Sequence, residues 1–427
     1  MGGLIASLLA APGQSQAPDA WQVHGQSTLI TQGHGTFESP YQGPNSLRPE
    51  RESATSFTAT VMLGWQPWPG AEWFLDGEAA AGKGVSSVLG MAGAPNGETY
   101  RVGDPELKAT FARVFLRQTW DLGGASETSA TDAHQFAGVR TTRRFVLHFG
   151  KFSVMDVFDS NSYAHEPRTQ FLNWSFMGHG AWDYPADTRG YTWGGAVEWY
   201  WDDWALRYGR FAEPLEANQM AMDHAFAEAH GDAGEVEHDH TLAGLPGAVR
   251  LLSYRNVARM GNYRESLALA SAAPDITDTR ASGRVKRGWG LNAEQSLSED
   301  LGGFLRWSWN DGHTETWAFT EIDRSLSMGL SLKGTRWHHA EDRIGLALVR
   351  NGLSPDHRDY LAAGGLGFLL GDGRLSYAPE CIAEAYYACS LGSSVTVTLD
   401  LQQVWNPAYN RDRGPLTLAA LRLHAAF

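Results

Sequence analysis

Apolar and polar residues alternate along most segments of this chain, and a period of two is the pattern of a β-strand with one apolar and one polar face. Segments 326–332 and 395–402 alternate in this way over their whole length. In 419–427 one face is entirely apolar, whereas Arg422 and His424 lie on the other. The chain is therefore predicted to be all-β, although a soluble β-sandwich would alternate in the same way.

The connections between the strands distinguish the possible β architectures. Some connections are very short: 67–70, 202–203, 299–300 and 391–394. Others are long and polar: 31–52, 81–106, 153–190, 212–234, 258–283 and 405–415. Short turns at one rim and long loops at the other are typical of outer-membrane β-barrels.

The number of strands tests this interpretation, because a closed antiparallel barrel with both ends in the periplasm needs an even number. The predicted strands are 21–30, 54–66, 72–80, 108–120, 141–152, 191–201, 204–211, 235–242, 247–257, 285–298, 301–310, 323–333, 342–350, 377–389, 395–405 and 416–427. This makes about sixteen, with eighteen as the alternative. Nearly all long loops then lie at the outer rim, and the exception is a long periplasmic connection at 121–140.

Aromatic residues cluster where the predicted strands end. The chain has 17 Trp and 48 Gly, and only 19% of its residues are charged. The clustered rings belong to Trp65, Trp68, Trp73, Trp120, Trp199, Tyr200, Trp201, Trp204, Trp307 and Trp309. Amphipathic rings at strand ends suit the two membrane–water interfaces. In hydrocarbon, unpaired backbone amides are so costly that a strand-built membrane protein must close on itself.

The N-terminal segment has features of an export signal. An apolar run at 4–11 is followed by Ser15-Gln16-Ala17, a small-x-small pattern of the cleavage-site type. No Lys or Arg precedes the run, so a disordered tail is the alternative. We predict a signal peptide or its remnant at 1–17 and a single barrel domain at 18–427, in the outer membrane of a Gram-negative bacterium.

Three stretches resemble the carbohydrate-selective porins of the OprB family. They are 150–190 (GKFSVMDVFDSNSYAHEPRTQFLNWSFMGHGAWDYPADTRG), 230–260 (with HGDAGEVEHDH and GLPGAVRLLSYRN) and 376–427 (with SYAPE, NPAYNRDRGP and LRLHAAF). The resemblance implies an outer-membrane barrel of about sixteen strands for passive diffusion of sugars such as glucose into the periplasm.

Candidate sugar-contacting residues come from two sources. The strand alternation places Arg113, Arg117, Arg207 and Arg306 on lumen-facing positions, with the carboxylates of Glu198 and Glu294 to orient them. The 153–190 segment, a candidate constriction loop, adds Arg168, Trp174, Trp182, Asp183 and Arg189. Guanidinium groups can pair with sugar hydroxyls, and aromatic faces suit the C–H side of a sugar ring. The alternative is that these side chains brace the wall of a water-filled lumen.

Three other functions are compatible with a large all-β chain of this composition. An exopolysaccharide exporter would also be a barrel, an outer-membrane lipase or deacylase is the enzymatic alternative, and a secreted carbohydrate-binding protein is the soluble one. No catalytic motif is present, so no enzyme, cofactor or metal is predicted, and His224, His230, His238 and His240 are expected to be polar lumen or loop residues. The net charge of −14 argues against nucleic acid as a partner. Small carbohydrates, outer-membrane lipid and lipopolysaccharide are the expected partners, and the oligomeric state is left open.

Overall fold

The computed structural model describes residues 20–99, 106–270 and 272–427, and the predicted signal segment 1–17 lies outside them. Sixteen antiparallel strands in these ranges form a closed barrel in which each strand pairs with its neighbours in sequence and β1 pairs with β16. The strands are β1 Trp21–His34, β2 Glu52–Trp65, β3 Ala71–Gly82, β4 Lys108–Ser129, β5 Gly138–Phe152, β6 Thr192–Trp201, β7 Trp204–Phe211, β8 His230–Leu242, β9 Leu245–Ala258, β10 Arg284–Ser296, β11 Leu301–Asn310, β12 Arg324–Lys333, β13 Arg343–Gly352, β14 Glu380–Ser390, β15 Val395–Trp405 and β16 Leu416–Ala426. The prediction of a closed barrel of about sixteen strands is confirmed.

The distribution of side chains explains why the alternation produces a barrel and not a sandwich. In β12 the apolar side chains of Leu326, Met328 and Leu330 are about two-fifths exposed (40–44%), whereas Ser325 and Ser327 between them are buried. A sandwich would bury the apolar face, and here that face is on the outside. An apolar exterior and a polar interior are what a barrel in lipid requires.

The two rims of the barrel differ as the connections predicted. At the rim that carries the chain ends, short turns join the strands at 66–70, 202–203, 243–244, 297–300, 334–342 and 391–394. At the opposite rim the connections are 35–51, 83–107, 153–191, 212–229, 259–283, 311–323, 353–379 and 406–415. The described parts of those long loops contain three short α-helices, at Trp174–Met177 (α1), Tyr263–Leu269 (α2) and Pro355–Ala362 (α3). None of the helices among the described residues has the length and apolarity that a membrane crossing needs.

The segment 121–140 differs from the predicted long connection. The two strands continue through most of it as a paired extension, β4 to Ser129 and β5 from Gly138, and only 130–137 is a connection. Its Gly, Ser and Thr content suggested a loop, mainly because Gly is depleted in strands. Pairing between the two strands outweighs that preference here, and the hairpin continues past the last residue pairs that β4 forms with β3 and β5 with β6.

Aromatic rings lie on the outer surface near strand ends, as predicted, except that Tyr200 faces the lumen, where its hydroxyl donates to Glu198 Oε2 at 2.7 Å. Trp21 and Trp65 stack at 5.3 Å between ring centroids near the rim of the short turns. Trp199 and Trp201 pack at 5.9 Å close to the turn at 202–203, and each is almost half exposed. Rings in this position can anchor the barrel at a membrane–water interface.

Candidate functional site

A band of paired charges crosses the inner wall of β6 to β10. Register brings Glu198 opposite Arg207, and Arg207 opposite Glu235. The Arg207 guanidinium bonds to Glu198 Oε2 at 2.8 Å and to Glu235 Oε1 at 2.9 Å. On the next strands Arg250 bonds to Glu237 and lies 3.4 Å from Glu294 Oε1. The predicted residues Glu198, Arg207 and Glu294 therefore belong to one buried ion-pair network on the lumen wall.

The 153–191 connection lies inside the barrel and contacts strands on several sides of it. Near its start, Asn161 Nδ2 donates to Asn292 Oδ1 of β10 at 2.8 Å. In its middle, the backbone N–H groups of Leu172 and Asn173 donate to the Glu384 carboxylate of β14 at 2.5 and 2.9 Å. Near its end, Arg189 Nη1 donates to Thr110 of β4 at 2.9 Å. The loop therefore contacts the wall at β4, β10 and β14 and crosses the lumen.

Three residues predicted as sugar contacts hold this loop in place. The Arg306 side chain is 1% exposed and bonds to Asp159 Oδ1 at 2.9 Å and to the backbone carbonyls of Ala164 and Phe176. Asp183 accepts the backbone N–H groups of Trp317 and Ala318. Trp182 is 2% exposed and packs against Phe158, Tyr184 and Tyr254. Their side chains are covered because a loop from the outer rim folds over the lumen-facing wall.

An open cavity lies between this loop and the wall. Four of the predicted residues line it: Arg113, Arg168, Trp174 and Arg189. Other loops of the same rim supply further lining residues, among them Glu98, Thr99, Phe319 and Phe368. Sequence reasoning missed those residues, because loops carry no periodicity that indicates which side chains point inward.

Aromatic rings form a stack on one side of the cavity. The rings of Trp174 and Phe319 are 4.9 Å apart with an angle of 23° between their planes, and those of Tyr184 and Phe319 are 4.8 Å apart at 27°. Trp174 begins α1, whose N-terminus is capped by the side chain of Asn173. The cap and the stack fix the indole, which remains partly exposed to the cavity.

Each of two cavity arginines is paired with more than one carboxylate. Arg113 makes two bonds of 2.7 Å to Asp156 and one of 3.2 Å to Asp76. Arg168 bonds to Glu98 Oε1 at 2.8 Å and lies 3.6 Å from Glu166 and 3.8 Å from Glu78. Each guanidinium is thus oriented by neighbouring acids and carries little uncompensated charge.

Two loop carboxylates in the cavity differ in their acidity. Burial raises the pKa of Glu98 to about 7, and the charge of Arg168 opposes that rise without cancelling it. Enclosure also acts to raise the pKa of Asp156, but the charge and hydrogen bonds of Arg113 outweigh it and hold that pKa below its ordinary value. Asp156 is therefore ionised at neutral pH, whereas Glu98 gains or loses its proton near pH 7.

A family model described as the carbohydrate-selective porin, OprB family, matches residues 63–427. The chain belongs to the OprB family of carbohydrate-selective porins. It is an outer-membrane β-barrel channel, as the apolar exterior and the polar interior of the barrel require. The family predicted from the three sequence stretches is confirmed.

Solved structures show the same fold at low sequence identity. The high-pH structure of OprB from Pseudomonas putida is 17% identical, the match covers 96% of this chain and 94% of that chain, and the TM-score is 0.72. The low-pH structure of the same protein is 14% identical, with 96% and 93% coverage and a TM-score of 0.50. A search of curated protein sequences gave no match.

The remaining predicted residue, Arg117, lies at the other end of the lumen of this OprB-family barrel. Its guanidinium bonds to Glu72 Oε2 at 2.5 Å and to the backbone carbonyl of His134 at 2.7 Å. No group of three or more potential metal ligands is formed among the residues that the structure describes. The ring centroids of His238 and His240 lie 6.3 Å apart near the rim of the short turns, and His238 stacks on the exposed Trp204. These two histidines therefore lie on the outer face of β8 and not in the lumen or a loop, where they had been expected.

Proposed function

We propose that this porin passes small neutral sugars, glucose-like monosaccharides and short oligosaccharides, and that it recognises them in the cavity beside the 153–191 loop. The observation that carries the proposal is the position of the Trp174–Phe319–Tyr184 stack in the same cavity as Arg113 and Arg168. An aromatic face can cover the C–H side of a sugar ring, while guanidinium and carboxylate groups replace water on its hydroxyls.

The pairing of charges supports a neutral solute over an ionic one. Arg113 and Arg168 each have carboxylates at bonding or near-bonding distance, so neither presents a bare positive charge. A strongly charged polymer would need a lumen of the opposite sign. A set of ion pairs offers donors and acceptors of both kinds with little attraction for free ions, which suits the vicinal hydroxyls of a sugar.

The 153–191 loop is proposed as the constriction. Its contacts with Asn292 on one part of the wall and with Glu384 on another support a path narrowed to the space beside the loop. Several bonds to buried residues also make it a rigid wall and not a mobile flap. Rigid and modest contacts are appropriate for a channel, because a solute that bound tightly would leave slowly.

We further propose that the protein performs no chemistry on the sugar, in keeping with the channel fold of its family. Passage is then driven only by the concentration difference across the outer membrane. Glu98, Arg113 and Arg168 serve as binding groups, and their ion pairs keep them oriented between passages.

Liposome swelling with purified protein tests the proposal. Glucose and a disaccharide are expected to enter faster than neutral amino acids of matched size, and glucose is expected to reduce the ion current of single channels in planar bilayers. If sugars and amino acids of matched size enter at the same rate, the channel is not selective for sugars. If glucose does not reduce the ion current, glucose does not bind in the proposed cavity.

A further inference from the structure

The hairpin formed by the extensions of β4 and β5 has a feature that the proposed function does not use. We name residues 121–140 the periplasmic hairpin. β4 pairs with β3 as far as Gln118, whereas its pairing with β5 continues to Ser129. The register shifts at Gly123, and both Gly123 and Gly124 have positive φ values, of 96° and 91°. Bulges of this kind bend a strand pair.

The tip of the periplasmic hairpin contacts the inner wall of β1 to β4. Gln22 Nε2 donates to the carbonyl of Asp132 at 3.0 Å, and Arg117 donates to the carbonyl of His134 at 2.7 Å. Phe136 is buried, with its ring 6.1 Å from that of Phe74. The tip is thus docked inside the mouth of the barrel by contacts with several strands.

Within the docked tip, the His134 ring reaches the carboxylate of Asp76. His134 Nε2 is 2.8 Å from Asp76 Oδ2, and the edge-to-face packing of its ring on Phe74 at 5.4 Å holds it there. The same oxygen, Oδ2, also accepts from Arg113 at 3.2 Å. Asp76 is fully buried, and its other oxygen, Oδ1, has no hydrogen-bond partner among the described residues.

A chain of contacts therefore joins the two ends of the channel. It runs from His134 of the periplasmic hairpin through Asp76 to Arg113, and from Arg113 to Asp156 of the outer loop. Arg113 lines the cavity of the proposed function. Its guanidinium is shared between Asp76 on the wall and Asp156 in the loop.

We propose that His134 is a positioning residue for sugar recognition, acting on Arg113 through Asp76. A buried carboxylate needs partners for its charge. While His134 is bonded to Asp76 Oδ2, Arg113 makes one hydrogen bond to Asp76 and two to Asp156 at the cavity. Without the ring, Arg113 is the remaining side-chain partner of Asp76 in the described part of the chain, and Asp76 draws the guanidinium toward the β3 wall. This inference rests on the proposed function, because it assumes that Arg113 helps to bind the sugar.

The test measures the glucose concentration that halves the single-channel ion current, together with the conductance in sugar-free salt. H134A is expected to raise the half-inhibiting concentration about three- to tenfold, which lies in the lower part of the range of coupling between contacting residues. H134Q, whose amide can still donate to Asp76, is expected to recover most of the native value. Q135A is the matched control, because the Gln135 side chain bonds to Ala130 within the hairpin and not to the wall.

A double-mutant cycle with R113Q shows whether the effect passes through Arg113. In the R113Q background H134A is expected to change the half-inhibiting concentration no further. An unchanged value for H134A in the native background overturns the inference, and so does an equal fold-change in both backgrounds or a change in sugar-free conductance alone. If H134A fails to assemble, F136A replaces it, because loss of the buried Phe136 ring loosens the docked tip and so withdraws His134 from Asp76 while the His134 side chain is kept. A native channel insensitive to glucose would instead refute the proposed function.

Discussion

Arg113 and Arg306 occupy the same kind of position, on the lumen-facing side of a strand, yet they have different surroundings. The Arg113 side chain is 14% exposed and lines the cavity, whereas that of Arg306 is 1% exposed beneath the 153–191 loop. Arg306 spends its donors on Asp159 and on backbone carbonyls of the loop. The comparison shows that a loop can convert a lumen-facing residue into a buried anchor, and only the uncovered arginine is available to a solute.

The largest effect is expected from removing the anchor. R306M leaves the buried Asp159 without its guanidinium partner, and breaking a buried ion pair costs about 3–5 kcal/mol of folding free energy. The loop should loosen, so that sugar-free conductance rises and the barrel unfolds at a lower temperature on heat-modifiability gels. Unchanged conductance and unfolding temperature would mean that Arg306 does not hold the loop.

The second effect concerns the two tryptophans of that loop. W174A removes a ring of the cavity stack and is expected to raise the half-inhibiting glucose concentration about tenfold, the equivalent of 1.4 kcal/mol. W182F is the matched change at the buried ring, and it should leave that concentration near the native value. If the two variants have the same half-inhibiting glucose concentration in bilayer recordings, Trp174 and Trp182 do not differ in their role as the comparison of cavity and buried positions predicts.

The third effect is a pH dependence from Glu98. Its folded pKa of about 7 is raised above the ordinary value of 4.5, so the folded state binds this proton more strongly than the unfolded state. The contribution of Glu98 therefore lowers stability as pH rises from about 4.5 to about 7. Over pH 8 to 6, protonation also leaves Arg168 with less compensating charge, which should shift ion selectivity toward anions.

Reversal potentials in a salt gradient, measured across pH 8 to 6, check this dependence. The E98Q channel should be shifted toward anion selectivity at every pH. Its selectivity should lack the pH dependence that Glu98 gives the native channel. Two outcomes would contradict the role of Glu98. One is a native channel whose ion selectivity is constant over this pH range. The other is an E98Q channel whose selectivity changes with pH as that of the native channel does, because the titrating group would then be a different one.

The smallest effect is expected at an ion pair on the exposed surface. Arg210 bonds to Asp232 at 2.7 Å, but its side chain is 46% exposed. R210M, the same substitution as at Arg306, should change the unfolding free energy by about 0–1 kcal/mol. A loss comparable to that of R306M would show that burial does not explain the difference between the two arginines.

The sequence predicted the barrel well because the barrel follows from local rules. Period-two alternation and turn lengths act within each strand and each hairpin, so segments such as 326–332 and 395–402 could be read independently. The hairpin at 121–140 was the exception, because there pairing between two Gly- and Ser-containing segments outweighed their low strand propensity.

The site was only partly predictable, because it depends on how loops fold. Arg113 and Arg306 look the same in the strand pattern, and nothing in the sequence near Arg306 indicates that residues 159–176 cover it. Glu98 and Phe319 come from separate loops, and no spacing connects either with Trp174. Such positions are decided by contacts between distant segments, which a single sequence without a repeating pattern does not encode locally.

The pairing of β1 with β16 also has a consequence for how the molecule is made. Ser27 lies opposite Ala425, so the last pair of strands to close joins segments from the two extremes of the sequence. Until they meet, both strands present unpaired backbone groups that can recruit other chains. Assembly of this channel therefore depends on keeping β1 available and protected while fifteen further strands are delivered, and the completed seam removes the last open edge.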